Sequence, residues 1–321
     1  MTISIYLDIL KSVKDGKTSD SLRSLKALAD ETRLRLFQLG RSFELNVNEI
    51  VETLGMGQSR VSRHLKILAE AGLLTSRRDG MWTFYRTAAD GPAARFAAAI
   101  GEKDRGIFAR DLARARKILE DRNRESRRFF DAIAGDWGEM KRALIGDAAL
   151  DPLLLRHVPR GEVAADLGCG SGDLFAVLRR KAGRVIGVDR SPRMLEEARR
   201  RHLSDSRRGI LELRMGELES LPLRDGEVDC ALMCLALHHL PDPGRGLAEA
   251  ARILKPGGTL VVVEWSAHQD ETLRTRFQDR WLGFEPQTLE DWLTGSGLSV
   301  RTKTTLSLPT GLKILLFRGR K

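Results

Sequence analysis

Cysteine is nearly absent from this chain: its 321 residues include only three, Cys169, Cys230 and Cys234. So small and odd a set argues against a disulfide framework and fits a reducing compartment. Long hydrophobic runs are missing as well. Apolar stretches such as Leu260-Val261-Val262-Val263 have strand length and stop far short of the roughly 20 residues a membrane helix needs. No removable targeting segment is expected at the start, where Ile3, Ile5, Tyr6, Ile9, Leu10 and Val13 follow a spacing that partly suits a helix. A cytoplasmic protein is the expectation, without internal repeats or low-complexity tracts.

Positive charge is what the chain has in excess. Its 54 Lys and Arg outnumber 44 Asp and Glu, for a net charge of +10, and Arg, the main contributor, suits phosphate. A polyanionic partner fits that balance. The length exceeds one average domain, and composition divides it into a first domain over 1–100, a charged helical connector over 101–142 and a second domain over 143–321.

In the first domain a helical pattern runs from Ser19 to Gly40, with Asp30 and Thr32 marking a break or fresh cap. Asn48 to Leu54 reads as a short amphipathic helix ending at Gly55, and Gly57-Gln58-Ser59 opens another that carries Val61, Leu65, Ile67 and Leu68 to Gly72. Strand-like runs at Leu73–Arg77 and Met81–Arg86 flank Arg78-Asp79-Gly80, where Asp-Gly signals a tight hairpin. Helix, turn, basic helix and wing, in that order, make an α+β winged helix-turn-helix. Gln58, Ser59, Arg60, Ser62, Arg63 and His64 lie where a recognition helix meets base edges, and Arg can bond guanine while Gln can bond adenine. Lys66, Arg77, Arg78 and Arg86 suit phosphates. An ordinary solvated helix face is the plainer reading of the same charges.

Leu25-Lys26-Ala27-Leu28-Ala29-Asp30-Glu31-Thr32-Arg33-Leu34 and Ser59 through Leu68 resemble the ArsR family of winged-helix repressors, over roughly residues 19 to 90. The resemblance implies a homodimer on near-palindromic double-stranded operator DNA, its recognition helices about 34–36 Å apart. Metal-sensing members carry a Glu-Leu-Cys-Val-Cys motif. Here Glu44-Leu45-Asn46-Val47-Asn48 stands in its place, so the soft ligands are missing and no metal is expected.

From about Gly161, short β-branched runs alternate with helical stretches, the pattern of an α/β Rossmann-like fold with a parallel sheet. Asp166-Leu167-Gly168-Cys169-Gly170-Ser171-Gly172 supplies a glycine turn between strand and helix. About 20 residues on, Asp189 closes Val185-Ile186-Gly187-Val188, where a carboxylate accepts the ribose hydroxyls of a nucleoside. A cap for the helix opened by Ser191-Pro192 is its structural alternative. The G-x-G-x-G spacing departs from the dinucleotide pattern. With Met215-Gly216-Glu217-Leu218, the run Asp229 to Leu240 and Leu254-Lys255-Pro256-Gly257-Gly258, the segment resembles class I S-adenosylmethionine-dependent methyltransferases of the ubiquinone and menaquinone type, over roughly 125 to 265.

That resemblance implies a cofactor, S-adenosylmethionine or S-adenosylhomocysteine, held by Asp166, Gly168, Gly170, Gly172, Asp189 and Arg190. Gly216, Glu217 and Leu218 would flank the adenine, and Cys234 and Leu235 would lie beneath the methionine portion. Glu217-Leu218 departs from the Asp-Ala common in relatives. His238 and His239 are candidates for a catalytic base, a structural pair being the commoner role. Cys230 and Cys234 read as small core residues. Trp137 can stack near the sulfonium or anchor the core, and Trp281, Phe284 and Trp292 read as packing.

As a whole the chain resembles regulators in which an ArsR winged helix is fused to a methyltransferase-like domain, some of which respond to S-adenosylhomocysteine. The reading is a DNA-binding repressor whose second domain binds S-adenosylmethionine or S-adenosylhomocysteine as effector, with the charged connector as lever. The alternative is an active methyltransferase on a small or quinone-like molecule with an autoregulatory DNA-binding domain. No Asn-Pro-Pro-Tyr or Asp-Pro-Pro-Tyr motif supports methylation of nucleic acid.

Overall fold

The computed structural model describes residues 18–88, 92–103, 105–145 and 150–321. The apolar stretch at 3–13 lies outside the described residues. The chain forms two compact units, Met1–Arg124 and Glu125–Lys321, and the boundary falls within helix Arg105–Ile133, inside the charged connector.

In the first unit, helix Thr18–Leu28 gives way to helix Glu31–Ser42 at Asp30, whose carboxylate accepts the Arg33 N–H at 3.0 Å and caps the second helix. After β1 (Leu45–Asn46), helix Val47–Leu54 opens with a capping box. The Glu49 N–H donates to Asn46 Oδ1 at 3.0 Å and the Asn46 N–H donates to Glu49 Oε2 at 2.8 Å. Asn46 stands where the metal-sensing motif has its first cysteine, and here it starts a helix. Gly55 ends that helix in the left-handed region at φ +63°. Helix Gln58–Glu70 then buries Val61, Leu65 and Leu68 against Leu36, Phe37, Leu39, Ile50 and Leu54. Each such burial contributes ~1.5–3 kcal/mol.

Strands β2 (Leu74–Asp79) and β3 (Trp82–Thr87) pair antiparallel, and β1 adds to the far edge of β3. Asp79 pairs with Trp82, so the hairpin turns on Gly80-Met81, one residue later than the Asp-Gly signal implies. The shift has a cause: Asp79 is buried and accepts from Arg77, which keeps it in the ladder, while Gly80 takes φ +57°.

The second unit is built on one sheet in the order β6-β5-β4-β7-β8-β10-β9. Strands β4 (Gly161–Leu167), β5 (Ala182–Asp189), β6 (Leu211–Met215), β7 (Val228–Cys234) and β8 (Leu254–Trp265) run parallel. Strands β9 (Ser299–Ser307) and β10 (Lys313–Arg320) are antiparallel additions. Alternate residues feed two cores: Ile186, Val188, Leu260 and Val262 on one face, Val185, Leu232, Val261 and Val263 on the other. Burial on both faces demands covering helices, which is why these strands read as continuous apolar runs. Cys230 and Cys234 are free thiols in the second core, and burial pushes them up to about 12 and about 11. Trp281 and Phe284 pack in the first core with Trp292 against them, and the Trp281 Nε1–H donates to the Leu240 carbonyl at 2.8 Å.

The sheet grows from β4 to β5 and β6 in one direction, and the chain then returns to add β7 and β8 on the other side. The reversal between β4 and β7 opens a crevice at their carboxyl ends, the place where open α/β sheets bind ligands.

Candidate functional site

The glycine turn leaves β4 at that crevice. Gly168, Gly170 and Gly172 all have positive φ, at +78°, +51° and +82°, a conformation that side chains disfavour. A Cβ at Gly168 would come within 2.8 Å of the Ala236 Cβ, and one at Gly172 within 2.6 Å of the Phe175 ring. Gly172 therefore serves helix packing.

Asp189, at the end of β5, ties the turn in place. Its Oδ2 accepts the Gly170 N–H and its Oδ1 accepts the Ser191 N–H, both at 2.9 Å. Burial raises its pKa, and those two N–H groups and Arg190 oppose the rise. The following helix is capped by Ser191 itself, whose hydroxyl oxygen accepts the Met194 N–H and whose O–H donates to Asp131. Asp189 is thus free of the capping role and keeps further lone pairs on both oxygens.

A cavity with about 610 Å³ of unfilled space, counting its open mouth, lies over these loops. It is lined by Gly168, Gly170, Asp189, Arg190, Gly216, Glu217, Leu218 and Leu235, each from the carboxyl end of β4, β5, β6 or β7. Phe130 and Trp137 line it too, their rings edge to face at 5.5 Å. Sequence reasoning missed Met194, Ala236 and Leu240, apolar lining residues with no signature of their own. Leu235 takes φ +54° there, strained backbone at the cavity wall.

Three residues expected to hold the cofactor lie off the wall: Gly172, Cys234 and Asp166. Cys234 is sealed in the core. Asp166 is buried beneath the glycine turn, and its Oδ2 has no hydrogen-bond partner. Burial, with Asp173 and Asp189 nearby and Lys141 opposing, pushes it up to about 7. A carboxylate raised in the folded state binds its proton more tightly there than in the unfolded chain, so its contribution is present at low pH and is lost as pH rises from about 4 through about 7. Asp166→Asn is therefore expected to raise the melting temperature of the ligand-free protein at pH 8 and to change it little at pH 4. Equal shifts at both values, read by calorimetry, would refute this.

Glu217 Oε1 accepts from Arg127 Nη2 at 2.7 Å, but both side chains are nearly half exposed. So screened a pair yields to a ligand at small cost. Arg190 donates to the Ser126 hydroxyl at 2.6 Å.

The two histidines separate. His238 is buried, off the cavity wall, with Nδ1 at 2.6 Å from Glu264 Oε1. Burial favours its neutral form, but the charges of Glu264 and Asp279 and the Glu264 hydrogen bond outweigh that and raise it to about 9. His239 lines the cavity, and burial, the neighbouring His238 and Arg190 hold it well below the ordinary histidine range. Only His239 is a neutral imidazole in reach of a cavity ligand.

In the first unit Gln58, Ser59, Arg60, Ser62, Arg63 and Lys66 are exposed along the helix, as are Arg78 and Arg86 on the wing. Arg77 is engaged within the domain instead, and His64 is turned inward. His64 is half buried, with Nδ1 3.8 Å from Asp30, and burial lowers its pKa. Arg77 pairs with Glu44 and Asp79 at 3.0 and 3.1 Å and lies over the Phe84 ring. Arg60→Ala or Arg63→Ala is expected to cost ~1–3 kcal/mol on a preferred DNA site and to relax sequence choice. Arg86→Ala should weaken all sequences alike and reduce the salt slope by about 1. Anisotropy on matched and scrambled duplexes across salt separates the two, and equal losses on both duplexes for Arg60→Ala and Arg63→Ala would count against base reading.

Residues 30–76 match the model of the bacterial regulatory protein arsR family, and residues 165–262 match a methyltransferase domain. The chain is 31% identical over 206 residues to the demethylmenaquinone methyltransferase of Symbiobacterium thermophilum, a stretch covering 59% of this chain and 78% of that protein. It is 46% identical over 107 residues to a 37.1 kDa protein in transposon TN4556 of Streptomyces fradiae, of which it spans only 30% while using 32% of its own length. Among solved structures, a chain in the complex of the Haloferax volcanii Trm112 methyltransferase activator with a methyltransferase superposes with a TM-score of 0.51 at 25% identity, covering 60% of this chain and 96% of that one. The parallel sheet, the glycine turn and these matches converge: the chain belongs to the class I methyltransferase family that includes the demethylmenaquinone methyltransferases, and carries an arsR-family winged helix ahead of that domain.

Proposed function

We propose that this protein is a homodimeric transcriptional repressor whose methyltransferase domain binds S-adenosylmethionine or S-adenosylhomocysteine as its effector. The observation that carries the reading is the cavity itself, where Asp189, Glu217 and the glycine turn converge in a chain that also bears a DNA-binding fold. The residues fit such a ligand. Asp189 has lone pairs to spare for two ribose hydroxyls, and Glu217 and Leu218 bracket the space an adenine would take. Asp166, unpartnered at Oδ2 and raised to about 7, would ionise in favour of an ammonium group bound nearby. Phe130 and Trp137 present aromatic surface to a sulfonium. The +10 charge and the exposed basic helix suit operator DNA. Titrating the full chain with each ligand by calorimetry tests the pocket, and anisotropy on DNA from upstream of its own gene tests the effector role. Tight ligand binding without any change in operator affinity would leave the pocket standing and end the effector reading.

A second reading, methyl transfer to a small molecule, is favoured by His239, a neutral ring in the cavity wall able to take a proton from an acceptor. The named relatives make a quinone-like acceptor the first to try. His239→Gln should then abolish turnover while leaving S-adenosylhomocysteine binding intact.

A further inference from the structure

Beside the cavity, His238, His239 and Asp279 bring one ligand atom each within 4.8 Å of one another, the one such group of three found among the described residues. The His238 Nε2 lies 3.5 Å from Asp279 Oδ1, and the His239 Nδ1 lies 3.9 Å from the same oxygen. Neither Asp279 oxygen has a hydrogen-bond partner although the residue is only 4% exposed, and His239 Nδ1 also lacks one. A buried carboxylate with both oxygens unsatisfied is costly, and it needs an explanation. We infer that His238, His239 and Asp279 form a binding site for a divalent transition-metal ion, with Glu264 as the group that orients His238.

The geometry supports this in three ways. Around an ion held at about 2.0–2.2 Å in tetrahedral geometry, ligand atoms stand about 3.3 Å apart, close to the two spacings found. Glu264, completely buried, accepts at 2.6 Å from the His238 Nδ1–H and also accepts the Trp265 N–H at 2.7 Å. With an ion in place of the Nε2 proton, that bond would hold the tautomer whose Nε2 lone pair faces the ion, the usual partner arrangement for a ligating histidine. Third, Glu264 and Asp279 place two buried carboxylates on either side of His238, and a divalent cation balances their joint charge. Two imidazoles and one carboxylate select borderline ions such as zinc, cobalt or iron(II) over magnesium or calcium. Of the three ligands, His239 also lines the cavity. The sequence offered only an adjacent His-His pair, since Asp279 comes from 40 residues further on and sits behind Gln278, itself at φ +60°.

The inference stands apart from the identity of the cavity ligand. The test is a titration of tag-free, chelator-stripped full-length protein with cobalt(II), followed by visible absorption, and with zinc(II) by calorimetry. The expected result is one ion per chain with the intense visible bands of non-octahedral cobalt, displaced by zinc. Affinity should fall at least 30-fold in both Asp279→Asn and His239→Gln, and Glu264→Gln should weaken it about 10-fold or more. Circular-dichroism melts check that each variant folds. If Asp279→Asn does not fold, His239→Gln, at the cavity edge, carries the test. No saturable binding to the wild type, or unchanged binding in His239→Gln, overturns the site and leaves a protonated His238 between two carboxylates as the whole account.

Discussion

Asp189→Ala is expected to weaken S-adenosylhomocysteine binding about a hundredfold. Charge-assisted hydrogen bonds contribute ~1.5–3 kcal/mol each, so two ribose contacts alone account for the loss. A second effect adds to it. Asp189 accepts the N–H groups of Gly170 and Ser191, and removing the carboxylate leaves both donors unpaired and frees the glycine turn that forms the cavity floor. Asp189→Asn separates the two contributions. An amide has one oxygen, so it can hold either Gly170 or Ser191 but must point an N–H donor at the other. It should therefore lose most of the binding while keeping the fold. Calorimetric titration gives the affinities, and thermal melts show whether the sheet survives. Binding within threefold of wild type in Asp189→Ala would remove Asp189 from the nucleoside site and with it the assigned pocket.

What could be read from the sequence was whatever chain-local chemistry dictates. Asp30 as a break between helices, Gly55 as a helix end and the glycines after β4 are local rules, and the structure obeys them. The cavity wall from Gly168 to Leu235 could be read because each residue follows a strand, and the switch in strand order gathers strand ends. Where the expectation and the structure differ, distant partners decide. Arg77 reads as a phosphate ligand until Glu44, 33 residues away, claims its guanidinium. Asp79 reads as a turn residue, yet its pairing with Trp82 and its bond to Arg77 keep it in β2. His238 and His239 look equivalent as neighbours, yet Glu264 and Asp279, from β8 and the loop before Trp281, raise the one, while burial, His238 and Arg190 lower the other. Nothing in a single sequence encodes such tertiary electrostatics, because the perturbing charges are set by sheet order and not by spacing.

Operator affinity is expected to shift at least tenfold when the preferred ligand saturates the cavity, a coupling of about 1.4 kcal/mol. Linkage makes the expectation stricter than a one-way effect, since operator DNA must shift ligand affinity by the same factor in the same direction. The two candidate ligands differ by one methyl and the sulfonium charge. A methyl-sized difference is worth only ~1–3 kcal/mol of discrimination, so the charge matters most, and Phe130 and Trp137 in the cavity wall are the aromatic groups available to it. Helix Arg105–Ile133 is where coupling should register. In the first unit its Asp111 grips Arg35 through two bonds of 2.6 and 2.8 Å, and its Arg122 holds Glu49 at 2.6 Å. In the second unit its Ser126 accepts from Arg190 and its Phe130 lines the cavity. Asp111→Ala and Ser126→Ala should each reduce the coupling factor with little loss of ligand or DNA binding taken singly. The measurement is a thermodynamic square at fixed salt, because phosphate contacts make every DNA affinity salt-dependent. It combines anisotropy on the operator with and without ligand and calorimetry of the ligand with and without operator. A square that closes at a factor of one for both ligands would leave a methyltransferase with an independent DNA anchor, and His239→Gln turnover would become the decisive assay.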